Sequence, residues 1–284
     1  MVYGLSFEAI DFIAGSVGGI VAVTVGQPFD TVKVRIQTSN HYKGPADCFN
    51  KIIRHEGVSK LFSGMLPPLV TASLVSATVF STYGYVMKAC TPEGQKPSIG
   101  ATYFAGCVAG LAQSFITCPR DLIKIQLQTR QHAAAKIGVM KHIQAIYATH
   151  GIRGLFRGYQ ATFYRDVPLF GAYFTTYSLL MSHLEAPCGP MGSALVSGGL
   201  AGVVFWSIIY PIDNVKTQIQ MMTNTSTPTP NALRMMVDMF KTKGFRHVYR
   251  GLGTTVLRSL PVNAVLFPVY KTCVAVLSGD ETTS

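Results

Sequence analysis

The sequence predicts an all-α membrane protein whose six transmembrane helices form three tandem copies of one helical hairpin. Three observations carry this reading: an apolar composition, six stretches of membrane-spanning length, and a motif repeated in register. Of 284 residues, 48% are hydrophobic and only 13% are charged, with a mean hydropathy of +0.30. A soluble domain of this size carries about a quarter charged residues. The bilayer is the solvent that suits this chain.

The spans follow in order. Phe12 to Phe29, Leu66 to Val86, Ile99 to Cys118 and Ala186 to Ile212 contain no charged side chain. Each is about long enough to cross a hydrocarbon core as helix, which takes roughly 20 residues. Two more become spans if a few ions are tolerated. Phe156 to Met181 contains Arg157, Arg165 and Asp166, and Leu252 to Tyr270 contains only Arg258.

The formal net charge of +11 would suit a nucleic-acid partner only if the basic residues formed a face or a run, and they do not. They report topology instead. Loops after the odd-numbered spans carry 14 of the 24 Lys and Arg: Lys43, Lys51, Arg54 and Lys60; Arg130, Lys136, Lys141, Arg153 and Arg157; Arg234, Lys241, Lys243, Arg246 and Arg250. The opposite side has Lys88, Lys96 and Lys271. The positive-inside rule places the three basic loops in the cytoplasm-equivalent compartment and both termini opposite. The first residues show neither a secretory signal nor an Arg-rich presequence, so targeting is expected to be internal. Cys48, Cys90, Cys107, Cys118, Cys188 and Cys273 form no CxxC pair and no regular spacing. They are expected to be packing residues rather than a disulfide framework or a zinc site.

Internal periodicity divides the chain into repeats 1–92, 93–186 and 187–284. Pro28-Phe-Asp30-Thr-Val-Lys33 returns as Pro119-Arg-Asp121-Leu-Ile-Lys124 and as Pro211-Ile-Asp213-Asn-Val-Lys216, the prolines being 91 and 92 residues apart. Before each proline stands a glycine pair spaced by four, Gly15 and Gly19, Gly106 and Gly110, Gly198 and Gly202, a spacing that suits close helix packing in a membrane. After it, beyond the basic loop, glycines recur seven apart: Gly57 and Gly64, Gly151 and Gly158, Gly244 and Gly251. The second follows an aromatic residue and, in two copies, a cation (Phe156-Arg157-Gly158, Tyr249-Arg250-Gly251; Phe62-Ser63-Gly64 in the first).

The threefold P-x-D-x-x-K, with G-x-x-x-x-aromatic-basic-G after a loop, resembles the mitochondrial carrier family over the whole chain. The resemblance implies six tilted helices around a central cavity with threefold pseudosymmetry, and a short matrix helix in each loop. It also implies the mitochondrial inner membrane, with termini toward the intermembrane space. That orientation agrees with the charge count. A closed barrel of this kind needs only one chain, so a monomer is expected, with cardiolipin at the matrix-side glycine motifs.

Proline removes a backbone donor and crowds the preceding turn, so Pro28, Pro119 and Pro211 should kink the odd-numbered helices and draw their ends together. By resemblance, Asp30 is expected to pair with Lys124, Asp121 with Lys216 and Asp213 with Lys33, forming a matrix gate. Ordinary helix-end ion pairs are the plain alternative.

Ions inside a membrane are costly and mark function by default. Seven residues beyond Gly64, Gly158 and Gly251 stand Thr71, Arg165 and Arg258, at the levels where the family contacts its substrate. Asp166 follows Arg165, giving an Arg-Asp pair like that of the amino-acid and carnitine branch. Helical neighbours lie about 100° apart, so the two charges are expected to address one ligand rather than each other. Arg165 or Arg258 would take a carboxylate and Asp166 an ammonium. A static network of these three residues is the alternative. Trp206, the sole tryptophan, stands five residues before Pro211, as one does in carnitine-type carriers. Its face would hold a methylated ammonium, or the ring would simply pack.

Departures from the family narrow the reading. At the outer ends of the even-numbered helices the aromatic residues Tyr83, Tyr177 and Tyr270 survive without their usual charged followers; Gly84 and Met87, Ser178 and Met181, and Lys271 and Val274 stand there. The outer gate is therefore expected to close by packing or tyrosine hydrogen bonds. The acid that a dibasic substrate would favour on the second helix is missing near Thr71, Ala72 and Val75, which weakens unmodified lysine, arginine or ornithine. His55-Glu56 lacks the second histidine of a zincin motif, Ser59 standing in its place. The glycosylation pattern Asn224-Thr225-Ser226 falls in a loop expected to face the matrix. No nucleophile-base constellation, metal cluster or phosphate-binding loop is visible, and no cofactor is called for. The expected function is alternating-access transport of an amino acid, methylated amino acid or carnitine-like betaine. An organic-anion or acyl-compound carrier and a regulated proton or anion leak remain as alternatives.

Overall fold

The computed structural model describes the backbone of residues 7–39, 41–92, 97–129, 138–222 and 229–278. Within its helices, side chains are described except at 7–9, 11, 12, 181–205, 260, 263, 266, 267, 270 and 271. The side chains of Cys188 and Tyr270 and the surroundings of Gly198 and Gly202 therefore lie outside what is described, as do Asn224, Thr225 and Ser226 altogether.

All secondary structure among the described residues is helical. The order is α1 (Phe7–Thr38), α2 (Pro45–Glu56), a 3-10 helix (Val58–Phe62), α3 (Leu66–Cys90), α4 (Ile99–Thr129), α5 (Val139–Leu155), α6 (Tyr159–Met221), α7 (Ala232–Val248) and α8 (Leu252–Ser278). α1 and α4 run through Pro28 and Pro119 without interruption.

The fourth and fifth predicted spans fall in one element, α6, of 63 residues. Drawn straight, it would be about 95 Å long at 1.5 Å per residue. It folds back instead: a Cβ on Gly158, which caps its start, would lie 3.0 Å from Gln220 and 3.4 Å from Ile219 near its end. Arg165 likewise reaches Asp213. The two spans are the antiparallel arms of this element, and the bundle has six spans.

Between the spans lie α2, α5 and α7, all at one end of the bundle. α2 begins with Pro45, whose missing N–H is no loss in a first turn. α7 is capped by Asn231, whose Oδ1 accepts from the amides of Leu233 and Arg234 at 3.0 and 3.2 Å. Cys48 and Ile52, one turn apart on α2, bury against Val32 and Ile36 of α1. Ala232 and Met239 of α7 bury against Ile212, Val215 and Ile219 of α6.

The glycines spaced by seven have a conformational cause. Both members of each pair sit at positive φ, from 60° at Gly151 to 93° at Gly251, where a Cβ would be strained. The second member also marks where one repeat abuts the next. A Cβ on Gly64 would lie 2.9 Å from the Lys124 carbonyl oxygen on α4, and one on Gly251 would lie 3.6 Å from the Lys33 carbonyl oxygen on α1. With Gly158 against Gln220, repeat 1 touches repeat 2, repeat 2 touches repeat 3, and repeat 3 returns to repeat 1. That closed sequence of contacts is the threefold pseudosymmetry.

The glycines spaced by four behave unequally. Gly106 and Gly110 let α4 meet α6 backbone to backbone, since Cβ atoms there would lie 2.6 Å from the carbonyl oxygens of Phe170 and Asp166. Nothing lies within 4 Å of such an atom at Gly15 or Gly19. These two border an open crevice of about 380 Å³ between α1 and α3, so close packing is not their role here. Val70, Leu74 and Phe80 on α3, Phe104 and Phe115 on α4, and Ile208 on α6 are exposed apolar side chains. An outer surface of this kind suits contact with lipid.

Candidate functional site

The six charged residues of the repeated motif meet where the ends of α1, α4 and the second arm of α6 converge. Lys124 Nζ lies 2.5 Å from Asp30 Oδ2, and Lys33 Nζ lies 2.7 Å from Asp213 Oδ2. Lys216 Nζ pairs with Asp121 Oδ2. Each pair joins different repeats, because threefold closure brings each lysine to its neighbour's aspartate. Together they form a ring across the end of the bundle that carries α2, α5 and α7.

Buried hydrogen bonds fasten the helices beneath the ring. Arg35 grips Glu56 through two bonds of 2.8 Å and donates through Nε to the Gln128 carbonyl at 2.6 Å. Gln128 Nε2 donates to Thr31 Oγ1, and Gln126 Nε2 to the Gln220 carbonyl, both at 3.1 Å. Tyr210, fully buried, accepts from Gln37 Nε2 at 3.0 Å and donates to the Arg250 carbonyl at 3.1 Å. Glu56 thus links α2 to α1 through Arg35.

Above the ring sits a tier of arginines. Arg165 spreads its guanidinium over three carboxylates: Nε to Asp166 at 2.5 Å, Nη1 to Asp213 at 3.2 Å and Nη2 to Asp121 at 3.4 Å. Arg258 Nε forms an ion pair with Asp30 Oδ1 at 3.0 Å, and Arg120 Nε donates to Asp121 Oδ1 at 2.8 Å. Each aspartate of the ring therefore meets its lysine and at least one guanidinium.

Three expectations need correction. Arg165 and Asp166 do pair with each other, because the long arginine side chain curls back over the 100° between helical neighbours. Asp166 is only 1% exposed and also accepts from Thr117 Oγ1 at 3.0 Å, so it stands behind Arg165 instead of beside it. Thr71 does not line the cavity. Its hydroxyl donates to the Pro67 carbonyl at 2.8 Å, while Pro68, Ala72, Val75 and Ser76 form that wall. The arginines at the equivalent level reach the cavity because their side chains are long; threonine is too short. The face of Trp206 holds a lysine of the chain itself, Lys33 Nζ lying 4.8 Å from the ring centroid.

Arg120 was not singled out by sequence reasoning, although a cation next to a motif aspartate, where the other repeats have Phe29 and Ile212, was the available signal. Arg120, Arg165 and Trp206 line two adjoining chambers. One, of about 390 Å³, lies over the ring. The other, of about 430 Å³, is walled by Leu169, Phe170 and Tyr173, with Thr117 and Asp166 at its edge. Toward the far end, Tyr83 stacks on Phe174 at 4.2 Å between ring centroids, and Tyr177 stacks on Tyr173 at 6.3 Å.

A six-span bundle in three repeats, with an ion-pair ring closing one end beneath a small-molecule chamber, is the architecture of a membrane solute carrier. The family model described as mitochondrial carrier protein matches residues 7–93, 95–186 and 189–281. The chain belongs to the mitochondrial carrier family and is a carrier of the mitochondrial inner membrane. It is 36% identical to the mitochondrial basic amino acids transporter of Rattus norvegicus over 96% of this chain and 91% of that protein. It is 35% identical to solute carrier family 25 member 45 of Homo sapiens over 92% of this chain and 96% of that protein. It is 33% identical to mitochondrial arginine transporter BAC2 of Arabidopsis thaliana over 95% of this chain and 92% of that protein.

Proposed function

We propose that the chain carries a cationic or zwitterionic amino acid, or a methylated derivative of one, by alternating access. The observation that carries this reading is the juxtaposition, around two joined chambers, of guanidinium groups with an aromatic wall. Guanidinium takes a carboxylate through forked hydrogen bonds, and aromatic faces take an ammonium. The names of the relatives, two of them transporters of basic amino acids or arginine, support the same class. In this reading Arg258 receives the carboxylate, and the cationic group lies against Tyr173 with the charge of Asp166 behind Arg165, reaching the face of Trp206 only in competition with Lys33. The first chamber's α3 wall carries no acid, so the second positive charge of a dibasic substrate is met at the aromatic side.

The ring is the matrix gate. An ion pair of this kind has a gross attraction of about 4 kcal/mol at an effective dielectric near 20, before desolvation is subtracted, which is small enough for substrate binding to overcome. Pro28, Pro119 and Pro211 bend the helices that carry it. The outer gate is aromatic, built around Tyr83 and Tyr177 with their ring partners, and Tyr270 is assigned to it by its place in the third repeat alone. The basic loops lie in the matrix and both termini face the intermembrane space, in keeping with the charge bias. One chain makes the transport path. Cardiolipin binds at the matrix-side glycine motifs, where an apolar groove of about 580 Å³ runs beside Pro45 of α2 and Thr254 and Leu257 of α8.

Thermal unfolding of the purified protein with arginine, lysine, trimethyllysine, carnitine, choline, malate and ATP tests this, since a ligand of the folded state raises its stability. Stabilisation by amino acids or betaines is expected. Stabilisation by malate or ATP alone would overturn the reading in favour of an organic-anion carrier.

A further inference from the structure

We propose that Arg120 is a substrate-contacting, specificity-determining residue that shares the substrate carboxylate with Arg258. The inference deepens the amino-acid carrier reading and rests on it.

Arg120 occupies the variable position of the P-x-D motif, where the other two repeats are apolar: Ile212 is buried in the cluster under α7, and Phe29 lines the outer groove. An ionisable side chain on a membrane helix, facing an internal cavity at the end of the span, needs a partner or a purpose. Its one partner among the described residues is Asp121 Oδ1, reached through Nε. Asp121 does not need it, because its other oxygen already meets Lys216 and Arg165. The two terminal nitrogens of Arg120 have no hydrogen-bond partner among the described residues, and the side chain borders both chambers.

The charge count points the same way. Four carboxylates around the two chambers face six cations, Arg120 among them. Two uncompensated positive charges inside a membrane protein favour an anionic group on the ligand. Arg165 cannot supply the contact without releasing three aspartates. Arg120 donates through Nε alone, and Arg258 makes no hydrogen bond among the described residues, its Nε standing 3.0 Å from Asp30 as an ion pair, so the outer fork of each guanidinium is left for a carboxylate.

The test compares wild type with Arg120→Gln and Arg120→Lys, using arginine against agmatine and carnitine against choline. Each pair sets a carboxylate-bearing probe against one without that carboxylate. Thermal unfolding across probe concentrations and uptake into liposomes are the readouts. In Arg120→Gln, half-maximal stabilisation and KM for a carboxylate probe that wild type accepts should rise about tenfold or more, the loss of one charge-assisted contact. Melting of the unliganded protein and the weak response to agmatine and choline should stay as in wild type. Arg120→Lys keeps the charge but not the fork, and should weaken the same probes by a smaller factor; it also serves if Arg120→Gln fails to fold. Unchanged concentration dependence in the variants, or equal weakening of probes with and without the carboxylate, would overturn the role of Arg120 and leave the carrier reading standing. A wild-type protein that answers to none of the four probes, nor to lysine or trimethyllysine, would overturn both.

Discussion

Lys33 is held from two sides: its ammonium lies 2.7 Å from Asp213 and 4.8 Å from the centroid of Trp206. The aromatic face is thus part of the ring's support, with Tyr210 at 5.3 Å on the same cation. A substrate ammonium that seeks the face of Trp206 must compete with Lys33, which couples ligand binding to one ion pair of the floor. Trp206→Leu removes a cation-π contact of about 0.5–2 kcal/mol. It should raise KM for cationic probes and increase uptake without counter-substrate in liposomes, because the Lys33 pair opens more readily. Normal KM with normal background flux would sink this coupling.

Arg165 and Arg258 occupy equivalent levels in their repeats but carry unequal structural duties. Arg165 satisfies three carboxylates in a buried network, whereas the side chain of Arg258 is 34% exposed and meets one. Removing one partner of a buried charged network costs about 3–5 kcal/mol. Arg165→Ala should therefore lower the melting temperature by several degrees, and Arg258→Ala should leave it nearly unchanged while impairing uptake. Thermal unfolding without substrate separates the two, and equal melting temperatures would refute the difference.

The architecture was legible because the repeat multiplies a weak signal by three. One proline with an aspartate and a lysine says little, but Asp30, Asp121 and Asp213 in register specify which lysine each can reach once the hairpins close on one another. What stayed hidden depended on side-chain length and curl. Helical angles alone separate Arg165 from Asp166 and put Thr71 level with Arg258. They do not say that arginine bends back onto its neighbour or that threonine falls short of the cavity. The joining of two spans in α6 was equally invisible, since Ala186 to Ile212 reads as a separate apolar stretch.

The two small-residue pairs that sequence treats alike should respond differently. Gly106→Ala and Gly110→Ala place a methyl 2.6 Å from backbone oxygens of α6, where neither helix can yield cheaply. A cost of about 1–3 kcal/mol each is expected from overpacking. Gly15→Ala and Gly19→Ala meet open space and should be neutral. Thermal unfolding of the four variants decides it, and a loss at Gly15 or Gly19 equal to that at Gly110 would contradict the crevice between α1 and α3.

Thiol reactivity should follow burial. Cys48 is fully buried in the contact between α2 and α1, and burial pushes its thiol up to about 12. At pH 8 only about one molecule in ten thousand would carry the thiolate there. Cys90, at the end of α3, is exposed. A maleimide at pH 8 should label Cys90 in the folded carrier and reach Cys48 only after denaturation, as peptide mass mapping would show. Labelling of Cys48 at the rate of Cys90 would contradict the packing of α2.

Gly26 offers a way to move Arg258 without mutating it. A Cβ at Gly26 would lie 2.7 Å from Arg258 Nε and 2.9 Å from its Nη2, so the guanidinium crosses α1 over a residue whose missing side chain lets it approach Asp30. The obstructed atoms are the far end of a flexible side chain. Gly26→Ala should therefore leave the melting temperature close to wild type while pushing the guanidinium off Asp30. If Arg258 receives the substrate carboxylate, the displaced group sits out of position, and KM for carboxylate probes should rise with little change for agmatine or choline. Gly26→Val enlarges the obstruction and should enlarge the effect. A Gly26→Ala variant that transports with wild-type KM would show that the position of Arg258 over Asp30 does not matter to binding.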